Sequence, residues 1–284
     1  MYKIAILGCE NSHANTFIEF INNDYPDVEV VGVYSDEKEA AQRLNEKYGV
    51  YAAENYDEFV GKIDGLVIVA RHGGKHYEYA KPYIKSGIPM FIDKPVLTSE
   101  EDALALRKDL IENNIKVCGG TVCRLAPFVK ELKKIAEEKP YGKVYGGLLR
   151  ATIKMNNEYG GFYFYAQHLV QVMGEIFGYY PNSVQSFESG DIINTIVRYD
   201  DYDINLQFAE SNDAFYAGIS CENYGVFSQY GLEGCFEAEF KEFYHILTGG
   251  EMTESYDDFL ASVFIMTAIE RSLISKKEEK VNRF

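Results

Sequence analysis

The chain has 284 residues, 46% of them hydrophobic and 25% charged, with seven prolines and a formal net charge of −16. That length suits two cores better than one, and the composition is that of a globular protein without low-complexity tracts. No apolar run reaches membrane-spanning or leader-peptide length, so a cytoplasmic protein is expected; thirteen acidic residues against one basic residue, Arg198, between positions 155 and 240 argue against a nucleic-acid partner.

In chain order, Tyr2 to Leu7 is a short aliphatic run ending at Gly8, which predicts a buried strand. Phe17, Ile18 and Ile21 carry helical spacing, and Asn22, Asn23, Asp24 and Pro26 stop that helix. Val28 to Tyr34 reads as the second strand and Asp36 to Tyr48 as the second helix, closed by Gly49. A strand over Ile63 to Ala70 precedes a helix from His76 to Ser86, where Pro82 predicts a kink and Gly87 a stop. Pro89 to Ile92 is another strand, Thr98 with Glu101 is a capping box, and Ile115 to Cys118 is a further strand. Strands separated by single helices imply right-handed crossovers, hence a doubly wound parallel sheet of the Rossmann type with ligands at the carboxyl ends of its strands.

After a helix over Ala126 to Glu138 the pattern changes. Lys143 to Lys154, Ser183 to Glu188, Ile192 to Tyr199 and Tyr202 to Phe208 read as strands, interrupted only by a helix over Phe162 to Phe177. Tyr202, Ile204, Leu206 and Phe208 alternate with Asp203, Asn205 and Gln207, the mark of an antiparallel strand with one covered face. Asp200-Asp201 is the expected hairpin turn. The chain closes on a helix from Ser255, with Asp258 completing a looser capping box. The predicted class is therefore α/β. Residues 1–122 form a dinucleotide-binding domain, and residues 123–284 form an α+β substrate and oligomerisation domain with an open, mostly antiparallel sheet. The last helix is free to pack back on the first domain.

Five cysteines (Cys9, Cys118, Cys123, Cys221 and Cys235) are scattered, and the one close pair, Cys118 and Cys123, has no second pair to complete a zinc site. They read as buried free thiols. His13, His72 and His76 are too widely spaced, and too short of Cys or Glu partners, to predict a metal site. No metal is expected.

The candidate chemistry lies after the parallel strands. The first turn, Gly8-Cys9-Glu10-Asn11-Ser12-His13, keeps one glycine of the dinucleotide fingerprint; Glu10 and His13 stand where the other two belong. Backbone amides at the following helix start suit a pyrophosphate. Asp36, after Ser35 at the end of the second strand, suits the adenosine ribose hydroxyls and repels a 2′-phosphate, which favours NAD over NADP. A capping role for Asp36 is equally compatible with its position, and Ser35 is an alternative cap. Ala70-Arg71-His72-Gly73-Gly74-Lys75-His76 and Asp93-Lys94-Pro95 follow two more strands. A lysine directly before a proline at such a position is more than a surface charge.

Taken together, these segments resemble the glucose–fructose oxidoreductase and inositol dehydrogenase (Gfo/Idh/MocA) family. Asp93-Lys94-Pro95 resembles its Glu-Lys-Pro motif, and Gly73 to His76 the end of its Pro-Asn-x-x-His stretch. Arg124-Leu125-Ala126-Pro127 is similar to its Arg-x-x-Pro segment, and Gly160-Gly161 with His168 to its approach to the substrate-domain histidine. The resemblance implies cofactor contacts from Gly8, Glu10, Asn11, Ser12, His13, Ser35, Asp36, Ala70, Arg71, His72, His76, Asp93 and Lys94. It implies Lys94 and His168 as catalytic residues, with Arg124, Tyr165 and His168 facing a sugar or polyol substrate. It further implies an NAD(P)-dependent dehydrogenase or epimerase-like enzyme, and a homodimer or homotetramer. His168 would take the hydroxyl proton and Lys94 stabilise the same oxygen. Two departures support a second reading, a non-catalytic binding or regulatory relative. Phe164 stands where the family has an aspartate four residues before its histidine, and the glycine loop is degenerate. Tyr165, on a similar helix face, is the candidate substitute for that aspartate.

Overall fold

The computed structural model describes residues 1–210 and 213–284. They form two compact units, the first of Met1–Leu97, Glu101–Gly120 and Phe236–Phe259, the second of Thr98–Glu100, Thr121–Cys235 and Leu260–Phe284. A single boundary at 122/123 does not describe this grouping, because residues 236–259 return to the first unit.

The chain begins β1 (Tyr2–Leu7), α1 (Ser12–Asp24), β2 (Val28–Tyr34), α2 (Lys38–Tyr48), β3 (Tyr51–Ala52), β4 (Gly65–Ile68) and α3 (His76–Ala80). It continues with β5 (Met90–Asp93), α4 (Glu100–Glu112), β6 (Val117–Gly120), α5 (Pro127–Glu138), β7 (Val144–Thr152) and α6 (Tyr163–Phe177). Then follow β8 (Ser183–Ser189), β9 (Ile192–Arg198), β10 (Asp203–Ala209), β11 (Phe215–Cys221) and β12 (Tyr224–Tyr230). The last elements are α7 (Cys235–Leu247), α8 (Tyr256–Ser275) and β13 (Glu279–Lys280).

In the first unit the strands run in the order β3-β2-β1-β4-β5-β6, every neighbouring pair parallel. That is the doubly wound order, in which the direction of winding reverses between β1 and β4 and opens a crevice at their carboxyl ends. β1, β4 and β5 are apolar runs because helices cover both faces. Gly49 closes α2 in the left-handed conformation. The helix expected over 76–86 narrows after Ala80 into tighter 3-10 turns over Lys81–Ser86, where Pro82 has no amide hydrogen for an α-helical bond.

The late helix α7 also belongs to this core. Phe240, Phe243, Ile246 and Leu247 are buried with Ile4, Val67, Phe17 and Phe91. Each such burial is worth about 1.5–3 kcal/mol. Gly65 of β4 leaves the room they need: a Cβ there would stand 2.7 Å from a Leu247 methyl.

In the second unit the strand order is β12-β11-β7-β10-β9-β8-β13. The sheet is antiparallel except where β10 runs parallel to β7. Tyr202 closes the expected β9–β10 hairpin, its carbonyl accepting the Tyr199 amide at 3.0 Å around Asp200-Asp201. The alternation of β10 holds, with Ile204, Leu206 and Phe208 buried. α6 supplies the cover: most of its residues, polar ones included, are buried. β11 and β12 were not expected, because Gly218 and Gly225 interrupt them and Phe227 stands exposed on the open face. At α8 the capping box forms as expected: the Asp258 amide donates to Ser255 Oγ at 3.1 Å, and that hydroxyl donates to the Asp258 carboxylate. No described helix is long and apolar enough to cross a membrane, and all five cysteines are buried.

Candidate active site

The carboxyl ends of β1, β2, β4 and β5 assemble most of the predicted cofactor residues. Gly8 turns the chain out of β1 at φ +80°, and a Cβ there would lie 2.2 Å from the Ala70 nitrogen. Both the conformation and the close approach to the β4 end require glycine. Asn11 caps α1: its Oδ1 accepts the His13 amide at 3.1 Å. Ser12 opens the helix and is exposed.

Glu10, at a fingerprint-glycine position, spans three strand ends. Its carboxylate accepts the Ser35 hydroxyl at 2.7 Å and the Arg71 amide at 2.9 Å. Ser35 Oγ in turn accepts the Glu37 amide at 3.0 Å, but neither Ser35 nor Asp36 caps α2, whose N-cap residue is Glu37 and makes no side-chain capping bond. Asp36 accepts the Tyr34 hydroxyl at 2.7 Å and lies 3.3 Å from the Lys75 ammonium. Burial favours its neutral form, but the Tyr34 and Tyr79 hydroxyls and Lys75 outweigh that and hold it below the ordinary carboxylate range.

His72 caps the turn at Gly73–Lys75, its Nδ1 accepting the Gly74 amide at 3.0 Å. His76 is fully buried between two carbonyls, Ala70 at 2.8 Å and Val96 at 3.1 Å. Burial pushes its pKa down against the pull of both carbonyls; the neutral ring has one N–H and donates to one of the two. At β5, Asp93 is fully buried, accepts the Asn11 amide at 2.9 Å and lies 3.0 Å from His13 Nδ1. Lys94, next in line and joined to Pro95 by a cis peptide, is also buried. A lysine is rarely buried without a partner or a task.

The residues present suit the adenosine and pyrophosphate parts of a nicotinamide dinucleotide. The capped start of α1 offers backbone amides, Gly8 admits a close approach, and the ionised Asp36 offers acceptors for ribose hydroxyls. Glu10 is the one anionic side chain in that loop, and both its oxygens already have donors. Among the described residues no group of three or more His, Cys, Asp or Glu side chains could hold a metal ion.

The second unit brings Tyr165 and His168 together with residues the sequence reading passed over. His168 sits on α6, buried, its ring 5.4 Å from that of Tyr165 and 5.7 Å from that of Phe215. Its Nδ1 meets Thr121 Oγ1 at 2.6 Å and Cys123 Sγ at 3.4 Å. Gln171, one turn along, accepts the Thr121 amide at 2.7 Å and the Gln167 side chain at 3.0 Å. Tyr165 presents its ring to His168 and lies under the Lys154 ammonium at 5.2 Å. Arg124 is buried in the short turn at Val122–Leu125. One signal of this cluster was available: Gln167, His168, Gln171 and Glu175 are polar residues at helical spacing in an otherwise apolar helix.

Residues 2–119 match a family model described as the oxidoreductase family, NAD-binding Rossmann fold. Glucose-6-phosphate 3-dehydrogenase of Bacillus subtilis (strain 168) is 29% identical over 148 residues, which is 51% of this chain and only 40% of that protein. Solved structures with the same fold include a putative myo-inositol dehydrogenase from Sinorhizobium meliloti 1021 (TM-score 0.85, 16% identity, 99% of this chain and 100% of that one). A scyllo-inositol dehydrogenase from Lactobacillus casei gives 0.86 at 14% identity, covering 99% and 98%. GenD2 from gentamicin A biosynthesis, in complex with NAD, gives 0.83 at 15% identity, covering 99% and 96%. Residues 2–119 thus match the model of that NAD-binding oxidoreductase family, and the whole chain shares the fold of these structures, a parallel sheet in the order 3-2-1-4-5-6 with a mostly antiparallel second sheet.

Proposed function

We propose that the chain is an NAD-preferring dehydrogenase acting on a secondary hydroxyl of a sugar, cyclitol or related polyol. The observation that carries this reading is the buried Lys94 at the carboxyl end of β5, beside Asp93 in the segment that resembles the family's Glu-Lys-Pro motif. A bound nicotinamide dinucleotide supplies the hydride acceptor or donor. Lys94 donates a hydrogen bond to the substrate oxygen as negative charge develops there, and His168 accepts the hydroxyl proton. Arg124 and Tyr165 contribute to the substrate side. Relatives named for glucose 6-phosphate and for inositols support the substrate class, since both carry secondary ring hydroxyls. The ionised Asp36 supports NAD over NADP.

The same reading includes a cytoplasmic location. It also includes a homo-oligomer formed through the sheet face that exposes Tyr145, Leu148 and Phe227.

Equilibrium titration of the purified protein with NADH and NADPH tests the cofactor assignment, followed by a polyol screen on wild type and Lys94→Ala. Tight NADH binding, with turnover that Lys94→Ala abolishes in a folded protein, is the expected result. Absence of binding by a folded sample favours the second reading, a non-catalytic binding or regulatory relative. Glu10 in the fingerprint loop and Phe164 on α6 are what support that alternative.

A further inference from the structure

We infer that Lys75 is a second determinant of cofactor choice: its ammonium stands beside the Asp36 carboxylate and offers a 2′-phosphate a cation at the point where Asp36 repels it. The inference rests on the dinucleotide reading of this crevice, and it makes the preference for NAD a graded one. All the residues involved belong to the first unit.

Asp36 follows β2, and Lys75 ends the short turn after β4; only β1 lies between those two strands. Lys75 Nζ is 3.3 Å from Asp36 Oδ2, and the Tyr34 hydroxyl donates to Oδ1 at 2.7 Å. The same ammonium is 3.3 Å from Glu78 Oε2, one turn along the chain. The backbone beneath Lys75 is fixed. Its amide donates to the His72 carbonyl at 2.9 Å, and a Cβ on Gly73 would stand 2.4 Å from the Pro95 carbonyl oxygen. The side chain above is held less tightly: Lys75, Asp36 and Glu78 are all about half exposed.

A carboxylate has about four acceptor positions. On Asp36, Tyr34 and Lys75 use one on each oxygen, and the Tyr79 hydroxyl bonds to it as well. A ribose brings two hydroxyl donors, so one existing donor has to give way. Lys75 is the one suited to do so, because it sits on a flexible stem and has Glu78 as a second partner. In NADP a phosphate replaces the 2′-hydroxyl, so Asp36 loses a donor and meets an anion instead. A phosphate on that oxygen arrives within the swing of the ammonium. With Lys75 in place, Asp36, Glu78 and Lys75 together carry one negative charge; without it they carry two. Lys75 therefore sets how steeply the site disfavours the 2′-phosphate, while the ribose hydroxyls of NAD leave its charge unused.

The test is calorimetric titration of the full chain with NADH and with NADPH, which needs no turnover. Wild type should bind both, NADH the more tightly. Lys75→Met keeps the length of the stem and removes the charge. It should weaken NADPH about fivefold, the scale of one half-exposed charge pair, and leave NADH within about twofold. Lys75→Arg should keep the wild-type ratio. Asp36→Asn should tighten NADPH, and adding Lys75→Met should cancel about fivefold of that gain. Equal effects of Lys75→Met on the two nucleotides, or no effect on either, overturn the inference and leave the dehydrogenase reading in place. A wild type that binds NADH but not NADPH does the same. A folded wild type that binds neither removes the inference and the dehydrogenase reading together.

Discussion

His13→Ala should destabilise the first unit in a way that depends on pH. The substitution removes a buried imidazole 3.0 Å from the fully buried Asp93 carboxylate, leaving the Asn11 amide at 2.9 Å as a remaining donor. Breaking a buried pair from one side costs about 3–5 kcal/mol, and the hydrogen bond kept by Asn11 reduces that to about 2–3 kcal/mol. At about 2–4 °C per kcal/mol for chains near this size, Tm should fall by about 5–10 °C in mildly acid buffer.

The pH dependence follows from the two partners. Burial lowers the His13 pKa, but the charge of Asp93, its hydrogen bond and the charge of Glu239 outweigh burial and the repulsion from Lys94, so the net shift is upward from 6.5. A raised histidine contributes stability that is complete below its unfolded pKa and is lost as pH climbs through the folded one. Burial raises the Asp93 pKa, but His13 and Lys94 hold it below 3.8. Its contribution is present above the unfolded carboxylate value and disappears as pH falls through the folded one. The pair is at full strength between the two unfolded values, from about pH 4 to about pH 6.5. Thermal melts of wild type and His13→Ala across that range and up to about pH 9 should show a gap that is wide near pH 6 and narrows in alkali. A gap of constant size would refute the assignment of the stabilisation to an ionised pair. Adding Asp93→Asn to His13→Ala should recover part of the loss, since no uncompensated charge is then buried.

Gly8→Ala forces a side chain into a left-handed position 2.2 Å from the Ala70 nitrogen; a loss of more than about 2 kcal/mol is expected, read as a lower urea midpoint. Glu10→Gln removes the one carboxylate in the fingerprint loop while keeping a single acceptor oxygen, which can serve the Arg71 amide, and calorimetry should show NADH bound about three- to tenfold more tightly. Glu175 is buried against Lys130 at 2.7 Å and Lys133 at 3.0 Å; burial raises its pKa, and the two ammonium groups more than reverse that. Glu175→Gln should cost about 1–2 kcal/mol at neutral pH, and the difference from wild type should vanish in acid as pH falls through the lowered pKa.

The parts of this protein legible in its sequence are those written in local pattern. β1, β4 and β5 announce themselves as apolar runs because both faces are covered, and β10 by alternation because one face is. β11 and β12 carry neither mark. At Gly218 a side chain would meet the Phe227 backbone at 2.8 Å, so packing, not pattern, selects that glycine. α7 did carry a readable signal, with Phe236, Phe240, Phe243 and Leu247 at helical spacing, but without the fold nothing assigns it to the first unit. In the candidate site, Asp36, Asp93 and Lys94 were visible because strand ends of a parallel sheet point to them. Thr121 was not: 47 residues separate it from His168, and nothing local to either residue announces the bond. The same holds for His13 and Asp93, which only folding brings together.

The placement of α7 has a consequence for how the protein is made. The helix that closes the core around Ile4, Val67 and Phe91 ends at Leu247, whereas the last strand of that unit's sheet ends at Gly120. At about 5–20 residues per second, translation needs roughly 6–25 s to cover the intervening stretch. For that time the growing chain holds a nearly finished parallel sheet with an open apolar flank, including the bare Gly65 that Leu247 will cover. Shielding of that flank by a chaperone, or by the ribosome surface, should therefore matter more to the yield of folded protein than the stability of the finished molecule does. A fragment cut after Gly120 should aggregate, and supplying α7 on the same polypeptide should rescue it.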